Sequence, residues 1–377
     1  MDDLVSQHRP MTPWFEIIPG TLAVHVITVR FCLGQGARPS LVQQRLRLFE
    51  AIHAPSLQQQ TPKRRFAWIV HTDSTLGHAA RARLARTGAA IVSAPLGKLR
   101  YDWGAVAQLA LVPTELGWST PPARLLANSS RRVYLSTRLD SDDGLPLGAV
   151  WRIQQALGRE LLRHRPVDPH VACWHQQLGW EPSAAPHAKH GNFTLQRAPF
   201  CLSAGLTMLS DVDRSCYTIA HHKVEWRHGG IGRSNVTQLD SPESTWGKFA
   251  TFPPLRSFTS TSDSASVNKD GPTWKRRQRA SGVALGPRTL ERLYGINHSA
   301  LLDANRETLA LASAIRAEAH VPTPCLKGFA CTARGAWASE KGRLASRPSS
   351  EPPRHGRSVS DTAKPVRTRR HGDSPVS

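Results

Sequence analysis

Three carboxylates fall within four residues at Asp140-Ser141-Asp142-Asp143, directly after the apolar-leaning segment Arg132-Val133-Tyr134-Leu135-Ser136-Thr137-Arg138-Leu139. Acids delivered by a strand onto the loop at its C-terminal end suit a hard divalent cation, Mg2+ or Mn2+. Such an ion takes a few carboxylate oxygens and leaves positions open for phosphate. Side chains two apart on extended chain point the same way. Asp140 and Asp142 can therefore converge on one ion, or divide between the ion and a sugar hydroxyl. The same residue types, with Gly144 following, also build ordinary turns. The helix predicted over 147–162 favours the metal reading, because ligands of open α/β sheets collect at the carboxyl ends of strands.

The elements that must position this loop read as alternating strand and helix. Residues 22–31 form a β-branched run of the kind buried in a parallel sheet, broken at Gly34-Gln35-Gly36. A helix follows over 41–52, with Ser40 as N-cap and Pro55 as its stop. Further strands are predicted at 66–70, closing on Asp73, and at 89–92, 133–139, 171–174 and 218–226. A basic-faced helix is predicted at 81–87 and another around 105–111. This order predicts an α/β fold with a mostly parallel open sheet flanked by helices. Residues 229–262 read as loop-rich, a helix is predicted at 300–319, and the Ser-rich basic stretch past Ser346 reads as disordered.

An ordered series of blocks carries a resemblance. It runs through Val29-Arg30-Phe31, Arg45-Leu46-Arg47-Leu48-Phe49-Glu50, Ala54-Pro55-Ser56-Leu57-Gln58-Gln59-Gln60-Thr61 and Phe66-Ala67-Trp68-Ile69-Val70 with Asp73. It ends in Thr137-Arg138-Leu139-Asp140-Ser141-Asp142-Asp143. Over roughly residues 20–260 the chain resembles the bacterial glycosyltransferases named the putative rhamnosyltransferase family, which have a GT-A-like fold. The resemblance implies a nucleotide-sugar donor, a glycan or lipid-linked acceptor, and a divalent cation (Mn2+ or Mg2+) on the acidic motif. It implies three segments: an N-terminal extension over 1–20, a catalytic domain over 21–265 and a basic extension over 266–377. The later family region corresponds to Tyr217-Thr218-Ile219-Ala220-His221-His222 and Ser244-Thr245-Trp246. Within the second strand, His71 and Thr72 stand where such strands are usually apolar.

Each need of glycosyl transfer then has candidates. Asp140 and Asp142 hold the metal, with His222 or its neighbour His221 completing the shell. Arg30, Arg45 and Arg138 meet the donor diphosphate, since guanidinium forks suit phosphate oxygens. Asp73 approaches the nucleobase or ribose. Asp143 or Glu225 takes the acceptor proton.

The net charge of +21 and pI near 10.8 invite a nucleic-acid reading. Much of the excess lies after Asp270, in Lys275-Arg276-Arg277-Gln278-Arg279 and in the tail, and no aromatic-interleaved binding motif accompanies it. A tail in contact with anionic membrane lipid explains the charge better. The start, Met1-Asp2-Asp3-Leu4, lacks a secretory pattern, so the expected location is the cytoplasm or the inner face of the membrane. The cysteines (Cys32, Cys173, Cys201, Cys216, Cys325 and Cys331) show no paired spacing, and reduced thiols are expected. Three other readings compete with the transferase: a non-catalytic relative that binds sugar nucleotides or glycans, a basic nucleic-acid-binding protein, and an Asp-nucleophile phosphotransferase. The last wants its Asp-x-Asp after the first strand, not a late one.

Overall fold

The computed structural model describes residues 13–61, 65–94, 116–118, 120–163, 169–197, 201–219, 236–239, 252–259, 281–283 and 285–318. The compact unit that holds them spans Met1–Cys331. Its centre is β2 (Thr21–Arg30), nine of whose ten residues are buried, as befits a parallel strand covered on both faces. β2 pairs in parallel with β3 (Ala67–Asp73) on one side and β5 (Arg131–Asp140) on the other. β4 (Ala90–Ala94) extends the sheet beyond β3. Past β5 the sheet turns mixed. β9 (Leu206–Ser210) runs antiparallel to both β5 and β6 (His170–Cys173), and β10 (Val236–Gln238) closes that side. β1 (Trp14–Ile18) pairs antiparallel with β2. The α/β, mostly parallel sheet flanked by helices is consistent with a GT-A-like arrangement.

The helix cover follows from apolar spacing. α5 (Ala149–Arg163) buries Val150, Ile153, Leu157 and Leu161 at three- and four-residue intervals, one stripe of a helix. That stripe packs in the main core with Ile27 and Val29 of β2 and Leu135 and Leu139 of β5. α4 (Ala123–Leu126) is a single short turn of helix. α3 occupies His78–Ala85, three residues ahead of the predicted basic helix.

The helix predicted to stop at Pro55 does not stop there. α1 (Pro39–Leu48) runs through a π-helical turn at Phe49–His53 into α2 (Ala54–Gln58). Proline lacks an N–H and crowds the carbonyl four residues back. The π-turn, in which the Ala54 N–H reaches the Phe49 carbonyl, absorbs that misfit. Ser40 is not the N-cap either. The Glu318 carboxylate accepts the Ser40 and Leu41 N–H groups from far along the chain.

Glu318 ends α7 (His298–Glu318), which follows α6 (Pro287–Tyr294). Both belong to a second core. Leu290, Leu293, Tyr294, Ile296 and Leu301 pack there with Leu48 and Ile52 of the α1 segment. The same core takes Leu178 and Trp180 from β7 (Gln176–Glu181), Phe193 from β8 (Asn192–Arg197) and Leu255 from β11 (Leu255–Ser257). These three strands and β12 (Ser281–Gly282) form a small second sheet. Packing therefore continues well past residue 265. The helix predicted at 105–111 and the tail beyond 318 lie outside the described residues. Among those described, no helix is long and apolar enough to cross a membrane.

The expectation of reduced thiols is corrected at one pair. β6 and the segment entering β9 bring Cys173 and Cys201 to a Cα–Cα distance of 5.6 Å, and they form a disulfide, a separation normal for such a bond. Cys32 and Cys216 are buried, and Cys216 is a free thiol.

A polar network threads the core beneath the sheet. The His25 ring bonds Thr137 Oγ1 at 2.7 Å and Gln154 at 3.2 Å, and Thr137 meets Thr207 at 2.6 Å. Burial lowers the His25 pKa to about 3. An unfolded histidine titrates near ~6.5. Between those values the unfolded chain binds a proton that the native chain refuses. Stability from this residue is thus intact above about pH 6.5 and falls as pH drops toward the native value, by roughly 5 kcal/mol at the acid end. His25→Gln is expected to flatten that limb in urea unfolding measured from pH 7 to 4. An unchanged limb would show that His25 does not set it.

Candidate active site

β2 and β5 end together, and their register sets the site. Arg30 lies opposite Asp140, and Thr28 opposite Arg138. Arg30 Nη2 donates to Asp140 Oδ1 at 3.4 Å. A third cation, Arg256 of β11, acts on Asp140 from the second sheet and reaches Ser203 Oγ at 3.4 Å. Burial alone would raise the Asp140 carboxyl. Arg138, Arg30 and Arg256 outweigh it and hold Asp140 well below the usual carboxylate range. Asp140 is therefore an anion in a cluster of guanidiniums, with 28 % of its side chain exposed.

Its neighbours turn inward. Asp142 is nearly buried, and Ser257 Oγ donates to its Oδ2 at 2.6 Å. Asp143 is 1 % exposed, and its Oδ2 has no hydrogen-bond partner among the described residues. Burial first, then the charges of Asp142 and Asp140, push its carboxyl well above the ordinary value, against the pull of Arg256. Gly144 then exchanges two backbone hydrogen bonds with Leu255, at 2.7 and 2.8 Å. A Cβ there would come within 3.2 Å of the Ile52 side chain.

The backbone of the acidic loop is held from below by the helix that carries the π-turn. His53 Nδ1 donates to the Asp143 carbonyl at 2.9 Å. Ser56 Oγ accepts the Leu145 N–H at 3.1 Å. Gln60 donates to the Pro146 carbonyl at 3.1 Å and accepts the Val150 N–H at 3.0 Å. His53 is wholly buried and stacks on Phe49 at 4.7 Å. Burial lowers its pKa to about 4, so the ring is neutral and the donated proton stays on Nδ1. Ser56 and Gln60 give the block at 54–61 a physical role: with His53 just ahead of it, they fix residues 143–150.

Arg30, Arg138, Asp140, Asp142 and Asp143 are thus brought together. Arg45 sits half-buried on α1, and the guanidiniums acting on Asp140 do not include it. Asp73 closes β3, two residues beyond His71, the register partner of Arg30. His221, His222 and Glu225 lie outside the described residues, as does most of the strand predicted at 218–226. Its first residue, Thr218, instead ends a 3-10 turn at Cys216–Thr218. Sequence reasoning missed Arg256, Ser257 and His53 as site residues, and named Tyr217 only within the later block of the resemblance. Ser215, whose hydroxyl accepts the Tyr217 N–H, was the available turn signal.

Two strands thus deliver an arginine and an acidic loop to one edge of an α/β sheet. A family model described as putative rhamnosyl transferase matches residues 36–235, more than half of the chain, and the chain belongs to that family. No curated protein matches it significantly.

Proposed function

We propose that the chain transfers a sugar, rhamnose being the candidate, from a nucleotide-sugar donor to a glycan or lipid-linked hydroxyl, with a divalent cation at Asp140 and Asp142. The observation that carries this reading is the ionised, part-exposed Asp140 set among Arg30, Arg138 and Arg256 at the end of β5. Among the described residues no three carboxylate, imidazole or thiolate groups form a ready-made metal cage. The donor set nevertheless fits Mg2+ or Mn2+, which bind through one or two carboxylates and complete their shell with substrate phosphates and water. The buried Asp143 oxygen without a partner is a further hard donor beside that position. When bound, the cation would supply Lewis-acid stabilisation of the departing diphosphate.

The chain's own residues do the rest. Arg30 and Arg138 face the diphosphate as the bond between the anomeric carbon and phosphate oxygen breaks, offering fixed positive charge where negative charge grows. Asp140 keeps both guanidiniums in place. The new bond forms from the acceptor oxygen to the anomeric carbon, and the acceptor proton passes to a carboxylate. Asp143 and Glu225 are the candidates for that step. The basic tail would bring the enzyme to an anionic membrane surface and so to a lipid-linked acceptor.

The test is a thermal-shift screen of nucleotide sugars with and without Mn2+, followed by product analysis of any hit. A true donor raises the melting temperature through mass action, and its sugar is transferred or, without acceptor, slowly hydrolysed. Binding with no turnover under any metal would point to the non-catalytic relative. No shift with any nucleotide sugar would overturn the proposal.

A further inference from the structure

Tyr217 is the residue around which two cations of the site, Arg30 and Arg138, are arranged. The Arg30 guanidinium lies over its ring at 5.1 Å from the centroid, and that of Arg138 at 5.0 Å. The turn that presents the ring is firmly tied down. Ser215 Oγ accepts the Tyr217 N–H at 3.1 Å, and the Thr218 hydroxyl donates to the Ser215 carbonyl at 2.7 Å. The Cys216 N–H donates to Ser136 Oγ at 2.9 Å, which fastens the turn to β5 two residues before Arg138. The ring is 5 % exposed.

Two like charges on neighbouring strands repel. Among the described residues one carboxylate, Asp140, is hydrogen-bonded to the pair, through Arg30. The electron-rich face of an aromatic ring attracts a guanidinium by roughly 0.5–2 kcal/mol, most when desolvated. The ring therefore supplies what the single carboxylate leaves short. The pair is not saturated. Arg30 Nε and Arg138 Nε are both buried and have no hydrogen-bond partner among the described residues, and the same holds for Thr28 Oγ1, which sits opposite Arg138. Buried donors without partners are costly, and three at the paired ends of β2 and β5 call for a ligand with several acceptor oxygens.

We propose that Tyr217 is a positioning residue that holds Arg30 and Arg138 as a preformed clamp for a diphosphate, able to bind that group without a divalent cation. The inference rests on the sugar-transfer reading for its biological ligand, but not for its chemistry. The phenol itself takes no proton in this scheme. Burial raises its pKa strongly, against the two guanidiniums, so it stays neutral. Among the described residues its hydroxyl donates to the Thr28 carbonyl at 3.4 Å and also acts on Arg30, whereas the ring face is what both guanidiniums share.

The experiment is calorimetric binding of inorganic pyrophosphate to the full chain in EDTA. Tyr217→Phe keeps the ring and is expected to bind within about threefold of the parent. Tyr217→Leu removes it and is expected to lose roughly tenfold or more. Because the leucine variant can fail by misfolding, a second series replaces Tyr217 with phenylalanines carrying increasing ring fluorination. These keep the shape and weaken the quadrupole. Affinity should fall stepwise along the series with the melting temperature held. A flat series would overturn the role of the ring, and so would a leucine variant that folds and binds normally. If the parent itself ignores pyrophosphate in EDTA, the cation-free clamp is wrong, while metal-dependent transfer could still stand. If pyrophosphate binds and no nucleotide sugar is ever turned over, the clamp stands and the transferase reading falls.

Discussion

Asp140→Asn is expected to lower sugar transfer by roughly a hundredfold to a thousandfold, the usual scale for removing one preorganised charge from a reacting centre. The substitution keeps size and shape and deletes one negative charge. Asp140 is the right target because it is the accessible member of the acidic group, whereas Asp142 is nearly buried with one oxygen taken by Ser257. Its loss leaves Arg30, Arg138 and Arg256 without the carboxylate that all three address. Catalysis should fail in kcat, yet pyrophosphate affinity should drop by no more than a few fold, because the anion now meets a more positive site. Arg138→Lys provides the matched control. It keeps the charge but lacks the planar fork and stacks poorly on Tyr217, so its defect should appear mainly as weaker donor binding. Steady-state kinetics with the identified donor separates the two. Wild-type turnover by Asp140→Asn would remove the metal chemistry from this strand end.

The parts of this site that sequence could reveal are those carried by regular elements. β2 is buried along nearly its whole length and reads as a near-continuous apolar run, β5 buries Val133, Leu135 and Leu139 among more exposed neighbours, and the ends of the two strands deliver Arg30, Arg138 and Asp140. α5 announces itself through its apolar spacing. What stayed hidden depends on contacts made across the chain. Arg256 and Ser257 sit on a three-residue strand, too short for any period to show. Tyr217 lies in a turn whose importance comes from Ser136 and the two arginines, none of them near it in sequence. The π-turn is invisible because Phe49-Glu50-Ala51-Ile52-His53 has ordinary helical composition, and Pro55 argues locally for a stop. The block at 54–61 was legible only as a resemblance. Its reason, a hydrogen-bonded cradle for residues 143–150, needed the fold.

Truncation gives the second large effect. A chain ending at residue 265 is expected not to fold, whereas one ending at 331 should keep its melting temperature. The first cut removes Leu290, Leu293, Tyr294, Ile296 and Leu301, each at most 5 % exposed, from the core shared with Leu48, Ile52, Trp180 and Leu255. Full burial of such side chains contributes roughly 1.5–3 kcal/mol each, so their combined loss rivals the roughly 5–15 kcal/mol by which domains are stable. Polar ties go with them. Tyr294 donates to the Pro253 carbonyl at 2.6 Å, beside Arg256. The Leu147 N–H donates to the Leu293 carbonyl at 2.7 Å, just after the acidic loop. Arg47 pairs with Asp303 and Glu307, and Glu318 caps the start of α1, which has no capping side chain of its own. α1 in turn leads into the π-turn that holds His53 under Asp143. The C-terminal helices therefore support the acidic loop through two routes, one at its exit and one beneath it. Expression of both truncations, with circular dichroism melting of each, decides the matter. A soluble, cooperatively melting 1–265 fragment that still binds pyrophosphate would show that the catalytic unit ends near 265 and that α6 and α7 are an appendage.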